Sequence, residues 1–578
     1  MVTSRIIQKG NSPSQKDIIS EIECYLPNFP KNVTCKKKTF KNWSGEIEVD
    51  NIPFCIPHSN EEVISVVNWA WKENYKLRAV GQSHNWSPLI LETELLETEL
   101  LETELLETER TAKNRVILID LSKHFTLVNI ENHSQFSIVT AQTGVLMETL
   151  MTKMENKGVG FIATPAPGDL TLGGVLAIGG HGTAIKALDE TLQPGHTFGS
   201  LSNTILSLSA VVWDTESQQY TIKRFERSDP NCAPLLTHLG SALILEVQFQ
   251  AGKNQRLRCQ SFTDIPAAEL FAQPKDSKKN RTFSHFLDKS GRAEIILFPF
   301  TDIPWLKVWS VAPTKPVSSV EVKAPYNYPF SDNIPPAISN ILDNILSHFP
   351  QITSEISKIQ YELAHASLQG DGKDIWGWSK NLLLYVKPTT LRVTANGYAV
   401  LTRRADIQLV LNKFYTELQR LMRKFASQGR YPINGPIEVR VTGLDDPADV
   451  MHKGAVVPSL SAIRPHLDHP DWDVAVWLDV LTFPDTPYSI EFCHQFEQWL
   501  FKEFDGSYAS ARVEWSKGWA YSSNAAWENK HVLTKIIPTS FTDGLPADNN
   551  WRSAVATLQK YDPHHVFRSP LLDKLFPD

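Results

Sequence analysis

The sequence predicts an α+β protein of two domains, and three observations carry that prediction. At 578 residues, 42% of them hydrophobic and 21% charged, the chain is too long for one ordinary core. Up to about Ala251, strand-like apolar runs alternate with helical stripes and are interrupted by two loops. These loops are VGQSHNWSPL at residues 80–89 and TPAPGDLTLGGVLAIGGHGT at residues 164–183. Beyond about Asn254 the character changes: short strand candidates alternate with long helical stretches, and aromatic side chains concentrate.

In chain order, residues 1–45 are polar and lysine-rich and read as an arm laid over the body. IPFCIP at 52–57 is a strand entering a turn. Val63, Val66, Val67, Ala70 and Trp71 then follow the i, i+3, i+4, i+7, i+8 spacing of one helical face. LRAV at 77–80 leads into the histidine loop. The tandem run LETEL-LETEL-LETEL-LETER follows at 91–110. Leu and Glu favour helix, but a five-residue repeat keeps no fixed helical face, so the run reads as a solvated excursion. Strands at 116–121 and 136–141 and a helix at 145–157 precede the glycine loop and complete a domain over 46–252. A second domain, 253–520, holds strand candidates at 294–298, 306–311, 437–441 and 475–481, with helices at 407–425 and 491–504. Its aromatics include Phe298, Phe300, Trp305, Trp309, Trp376, Trp378, Trp472 and Trp477. Many of these are core, yet the same concentration suits a bulky apolar ligand. Residues 521–578 form a C-terminal segment.

Charge and cysteine usage exclude several classes. The net charge of -7 is owed to the eight glutamates of the tandem run, and the rest of the chain is near neutral, which leaves no footprint for nucleic acid. Cys24, Cys35, Cys55, Cys232, Cys259 and Cys493 have neither CxxC nor zinc-ligand spacing and read as idle or buried thiols, with a Cys24–Cys35 disulfide conceivable. No apolar run is long enough to cross a bilayer. The first residues carry no apolar signal core and no twin arginine, so a cytoplasmic location is the default expectation.

The two loops carry the chemistry. Glycine lets backbone approach a phosphate closely and turn N–H groups toward it. Two such loops can grip one dinucleotide from two sides, which points to a large redox cofactor. Neither loop is the GxGxxG of a nicotinamide unit or the GxxxxGK[ST] of a triphosphate site, so spacing alone leaves an ordinary glycine-rich turn open.

With these residues in view, the chain resembles the flavoprotein oxidases of the vanillyl-alcohol oxidase superfamily, and among them the bacterial type II cholesterol oxidases, which carry covalent FAD. The resemblance covers most of residues 45–578, outside the tandem run. It implies a bipartite α/β FAD-binding domain, a substrate domain with a mainly antiparallel sheet flanked by helices, and a tail that returns to the FAD domain. In the R-x-x-G-x-x-H spacing set by Arg78, Gly81 and His84, the resemblance makes His84 the point of covalent attachment, with Gly81, Gln82, Ser83 and Asn85 around the flavin. Pro165, Gly168, Leu172, Gly173, Gly174, Gly179, His181 and Gly182 are expected along the FAD, bound through backbone N–H groups.

GRAEIILFPFTDIPWLKVWSVAPTKP at 291–316 is similar to the substrate domain of the same family, and Glu294 falls at its active-site base. On a strand, Glu294 shares a face with Ile296, so the carboxylate is expected to point into an apolar pocket, which would suit it to accept a proton. Glu438 and Arg440, two apart on a strand, would lie side by side, and the family uses such a pair near the flavin. Lys517, in EWSKGWAY, matches a lysine near the flavin ring. Two positions depart from the family pattern. Ala395 stands where an acidic residue is expected, and Asp479 where an amide is expected. They bear on isomerisation and on the route of oxygen.

The reading is therefore an FAD-dependent oxidase of a secondary alcohol, the 3-hydroxyl of cholesterol or a similar sterol, reducing O2 to H2O2, with possible Δ5 to Δ4 isomerisation. The partners are a small-molecule sterol and O2, with transient contact at a membrane surface and no nucleic acid. The alternatives are a sugar-alcohol or aldonolactone oxidase of the same superfamily, and a non-catalytic flavin- or lipid-binding protein.

Overall fold

The computed structural model describes residues 22–92, 115–276, 281–328, 345, 349–385 and 392–577. The arm before residue 22 and all but the first two residues of the tandem run lie outside the described residues.

The first sheet holds β1 (Ile22–Glu23), β2 (Thr34–Lys41), β3 (Glu48–Ile56), β4 (Lys76–Val80) and β5 (Val116–Asp120), in the order β1-β2-β3-β5-β4. Strands β3, β5 and β4 run parallel, and Ile117, Leu118 and Ile119 on the inner strand β5 are fully buried, as a sheet covered on both faces requires. α1 (Asn60–Lys72) makes the crossover from β3 to β4. Ser59 caps it by accepting from the Glu62 amide, acidic residues sit in its first turn, and Lys72 sits in its last. Val63, Val66, Val67 and Ala70 are wholly buried, as the stripe predicts, and each valine contributes about 1.5–3 kcal/mol on burial. Trp71 does not follow. It is half-buried against Trp213 and His564, and Trp69 takes the inner place, its Nε1 donating to Pro27 O. The reason is that the segment between β1 and β2 lies over the Trp69 side of α1, with Phe29 edge-on to Trp69 at 4.9 Å. Residues 22–23 and 34–41 pair into the sheet as β1 and β2, where an arm had been expected. All three cysteines of this sheet are free thiols; the Cys24 amide donates to Cys35 O at 3.2 Å, and no disulfide joins them.

The second sheet is antiparallel. β6 (Val128–Asn132), β7 (Ser137–Gln142), β9 (Ile205–Asp214), β10 (Gln219–Glu226) and β11 (Leu243–Lys253) follow the order β10-β9-β11-β7-β6, and β8 (Val159–Gly160) pairs with β11. α2 (Met147–Glu155) buries Met147, Leu150, Met151 and Met154. α3 (Leu172–Ala177) lies inside the glycine loop.

The third sheet has nine strands: β12 (Arg256–Phe262), β13 (Arg292–Leu297), β14 (Trp305–Val311), β15 (Val320–Glu321), β16 (Asp374–Trp378), β17 (Thr394–Thr402), β18 (Ile437–Gly443), β19 (Val474–Thr482) and β20 (Ala509–Val513). Their order is β15-β16-β12-β14-β13-β18-β19-β17-β20, and only the β15–β16 pair is parallel. Among the flanking helices, α4 is Phe283–Ser290, α5 is Thr353–Leu368, α6 is Ile407–Ala426 and α7 is Ser489–Glu503. α6 buries one stripe, including Ile407, Val410, Leu411, Phe414, Leu418 and Leu421. It meets α7 through Phe414 on Phe496 and Phe425 on Phe492.

The tail, with α8 (Trp551–Tyr561) and α9 (Pro570–Leu575), returns to the first two sheets. Leu77 N donates to Val566 O at 2.8 Å, Lys76 Nζ to His565 O at 2.7 Å, and Tyr220 OH to Asp562 Oδ1 at 2.5 Å. Buried Arg78 donates to Gly240 O, Leu89 O and Phe567 O, tying the histidine loop, the second sheet and the tail at one point. Among the described residues no helix is long and apolar enough to cross a membrane.

Candidate active site

The chain brings its two loops together at the end of β4. A Cβ on Gly81 would lie 2.4 Å from Thr171 Oγ1, so the loops touch with no room for a side chain. Ser83 adopts φ +57°, and its carbonyl accepts from the Trp43 amide at 2.8 Å. Trp43 stacks on His84 with ring centroids 4.2 Å apart, and the Arg392 guanidinium lies 4.1 Å from the Trp43 ring. His84 Nε2 lies 3.3 Å from Asp169 Oδ2 in the glycine loop. Burial opposes ionisation of Asp169, but the hydrogen bond and charge of His84 outweigh it and hold the carboxyl below its usual range. Further on, the Trp86 amide donates to Ser516 O and the Ser87 hydroxyl to Trp515 O, which sets the histidine loop beside Lys517.

The glycine loop is held from both sides. Its exit strands along the third sheet: Gly443 N donates to Ala184 O, and Thr183 Oγ1 donates to Ala293 O. Many of its amides are already committed. Gly173 N donates to Thr143 O, Gly174 N to Thr171 Oγ1, Gly179 N to Leu176 O and Gly180 N to Val175 O. These glycines are required for close packing: a Cβ on Gly182 would meet Thr164 N at 2.6 Å, and one on Gly180 would meet Val175 Cγ1 at 2.6 Å. The expectation that glycine N–H groups would line up toward the cofactor is thus corrected for these four. Pro165, Gly173, Gly174, Gly179, His181 and Gly182 border the cavity, as do Gly81, Gln82, Ser83, His84 and Asn85. Gly168 and Leu172 do not. The Gly168 amide and carbonyl are bonded to Tyr385 O and Glu148 N, and Leu172 is buried in the core at the start of α3.

The opposite wall is a row of charges across β14, β13, β18 and β19. Register pairs Lys307 with Glu294, Glu294 with Arg440, and Glu438 with Asp479. Lys307 Nζ lies 3.8 Å from Glu294 Oε2, and Arg440 Nη1 lies 3.5 Å from Glu294 Oε1. Arg440 Nη2 contacts Glu438 Oε2 at 3.0 Å and also Asp479 Oδ2. The spacing argument for Glu438 and Arg440 holds. Glu294 does share the cavity with Ile296, but two cations stand against it, so the surroundings expected to be apolar are not. Lys517 Nζ lies 3.6 Å from Asp479 Oδ2 and 4.3 Å from the Trp86 ring. His181 lies flat on Trp477, centroids 3.5 Å apart, with Nε2 3.8 Å from Glu514 Oε1.

The electrostatics follow from burial and proximity. Asp479 is fully buried and is pushed up to about 7 by that burial and by Glu514, against the pull of Lys517 and Arg440. Burial opposes ionisation of Glu514 too, but Lys517, His181 and Arg440 overcome it and hold it well below the carboxylate range. Burial opposes the charge on Arg440, and Asp479, Glu438 and Glu294 more than restore it. Such a cluster is stable only while its charges stay matched.

Between these walls lies a cavity of about 490 Å³, with Ile296, Phe298, Trp309, Tyr326, Tyr328 and Leu382 forming an apolar side. The loop side fits a dinucleotide. Gly81, Gly173, Gly174 and Gly182 line it, and the buried Asn85 Oδ1 and Thr164 Oγ1 have no hydrogen-bond partner among the described residues. Sequence reasoning missed Trp43, Asp169, Lys307 and Glu514. Three of these lie within quoted motifs: Asp169 in the glycine loop, Lys307 in the 291–316 run and Glu514 three residues before Lys517.

Two glycine-bearing loops meeting at one cavity, faced by a charged row and an apolar side, suit a dinucleotide cofactor beside a substrate chamber. Comparison with known proteins narrows this. A family described as "Cholesterol oxidase, substrate-binding" matches residues 256–577. A solvent-stable cholesterol oxidase of known structure is 50% identical, with a TM-score of 0.90 over 96% of this chain and 100% of that one. The cholesterol oxidase of Brevibacterium sterolicum is 39% identical, with a TM-score of 0.89 over 96% and 99%. An L-gulonolactone oxidase of Scyliorhinus torazame is 22% identical over 226 residues, 39% of this chain and 42% of that protein, so the chain matches less than half of that relative's length. The chain belongs to the cholesterol oxidase family, a family of FAD-dependent alcohol oxidases.

Proposed function

We propose that the protein oxidises the 3-hydroxyl of cholesterol or a similar sterol, with dioxygen as acceptor and hydrogen peroxide as product, and that His84 holds FAD covalently. The observation that carries this reading is the placing of Glu294 and Arg440, 3.5 Å apart, in the charged wall of a chamber whose other side is apolar. When bound, FAD supplies the hydride acceptor and the path of electrons to dioxygen. Glu294, stabilised as a carboxylate by Lys307 and Arg440, takes the hydroxyl proton. Arg440 sets a fixed positive charge against the developing ketone oxygen. Lys517, held by Asp479 and Trp86, supplies the positive charge a reduced flavin needs. With Nε2 of His84 committed to Asp169, Nδ1 is the nitrogen left for attachment. A shift of the sterol double bond into conjugation needs a base to carry the proton. Ala395, packed with Val393, Leu481 and Phe483, offers none, and the carboxylates that border the cavity are Glu294, Glu438 and Glu514.

Cholesterol in detergent should give one peroxide per sterol, and xylitol none. Turnover of xylitol alone would overturn the sterol assignment in favour of a sugar-alcohol oxidase. Acid precipitation should leave the yellow colour in the wild-type pellet and remove it from the His84→Ala pellet; colour released by the wild type would reduce His84 to a contact. Co-sedimentation with cholesterol-bearing liposomes checks the expected transient contact with a lipid surface.

A further inference from the structure

Asp479 is the most deeply buried acid of the charged row, with a wholly inaccessible side chain. It sits on β19 between β18 and β17. Its Oδ2 contacts Arg440 from β18 and Lys517 from the segment after β20, and its Oδ1 is buried without a hydrogen-bond partner among the described residues. Gly397 on β17 makes this convergence possible: a Cβ there would lie 2.5 Å from Asp479 Oδ1, 2.7 Å from Lys517 Cγ and 2.9 Å from Glu514 Oε2. The other partners of Arg440, Glu294 and Glu438, line the chamber and are 13% and 22% exposed at their side chains. Arg440 is thus pulled in two directions, toward the chamber by two glutamates and toward the interior by Asp479.

We propose that Asp479 is the positioning residue of this site, an interior anchor that holds the Arg440 head group in register with Glu294 and fixes its distance from Lys517. The inference rests on the sterol-oxidase reading for its consequence in turnover, though not for its geometry. With Asp479 ionised, Arg440 is tethered at the chamber wall. With Asp479 protonated, the tether weakens, and Glu294 and Glu438 draw the guanidinium into the chamber.

The groups facing Asp479 set when that happens. Arg440 and Glu438 face it from β18, and Lys517 and Glu514 from beyond β20, while β17 offers neutral Gly397. Glu294, Lys307 and His181 stand one contact further out. Burial and the nearby Glu514 outweigh the pull of Lys517 and Arg440 on Asp479, whose carboxyl is pushed up to about 7.

The test is Asp479→Asn, an isosteric change that removes the charge, made in the flavin-loaded protein. With flavin content and melting temperature as folding controls, kcat for cholesterol should fall by about 10- to 100-fold, the loss that displacing one group by about 1 Å brings. The acid limb of the wild-type kcat profile near pH 7 should vanish in the variant. Crystal structures should show Arg440 displaced toward Glu438 in Asp479→Asn, and in the wild type at pH 5.5 relative to pH 8.5. An unmoved Arg440 with an unchanged pH profile would overturn the anchor. The crystallographic arm needs no turnover, so failure of the wild type to oxidise cholesterol would sink the sterol reading and leave Asp479 still tested.

Discussion

Gly81 and Thr171 interlock. A methyl group on the first would stand 2.4 Å from the hydroxyl of the second, and that same hydroxyl accepts from Gly174 N to cap α3. Gly81→Ala should therefore separate the histidine loop from the glycine loop at a cost of about 1–3 kcal/mol. A lower flavin-to-protein absorbance ratio and a lower melting temperature would report it. Combining it with Thr171→Ala should recover part of both losses, because one clash underlies them.

Asp169→Asn should leave FAD bound but reduce the share attached covalently. The carboxylate at 3.3 Å orients His84 and favours the tautomer with a free Nδ1. Acid precipitation followed by absorbance of pellet and supernatant measures the share directly. Full attachment in the variant would show that Trp43 stacking alone orients the ring.

Glu294→Gln should lower kcat by about 10²- to 10⁴-fold, the usual contribution of a positioned base, with KM changed far less. Stopped-flow bleaching of the flavin by cholesterol isolates the reductive step. Near-normal bleaching would move the base to Glu438, which shares the same guanidinium.

Glu497 gives a prediction about stability. On α7 it accepts from Tyr398 OH, Ala520 N and Tyr521 N, and it is 1% exposed. Burial pushes its carboxyl up to about 7, beyond what those three hydrogen bonds hold down. A carboxyl raised on folding favours the folded state below its ordinary value, and that contribution is lost as pH rises through about 7. Glu497→Gln sets an amide NH2 against a backbone N–H and should cost about 1–3 kcal/mol. The deficit should narrow between about pH 5 and 8, as the wild type alone weakens there. Urea melts at several pH values measure this, and a deficit that does not change with pH would refute it.

Much of the third sheet was legible because its elements are long and strongly periodic. β13, β18, β19, α6 and α7 lie within a few residues of where alternation and helical stripes put them. The two-residue spacing of Glu438 and Arg440 was enough to set them on one face. What periodicity cannot give is strand order. Glu294 meets Arg440 because β13 pairs with β18, some 140 residues later, and no local pattern encodes that register. The same holds for Lys307 beside Glu294 and for Asp479 beneath Arg440. In the glycine loop, composition marked the right segment but not the use of each residue. Gly173 donates its amide to Thr143 just after β7, Gly180 donates within the loop to Val175, and Gly168 serves the junction with Tyr385. Which of Trp69 and Trp71 turns inward depends on where the segment between β1 and β2 comes to lie, with Phe29 and Pro27 against Trp69.

The bonds from Leu77 and Lys76 to Val566 and His565 carry a consequence for how the molecule is made. A ribosome releases β4 early, yet the partners that complete its surroundings emerge almost 490 residues later. The nascent residues around β4 therefore stay unfinished until residues 565 and 566 have been made, and the final closure of the histidine loop's surroundings follows that point.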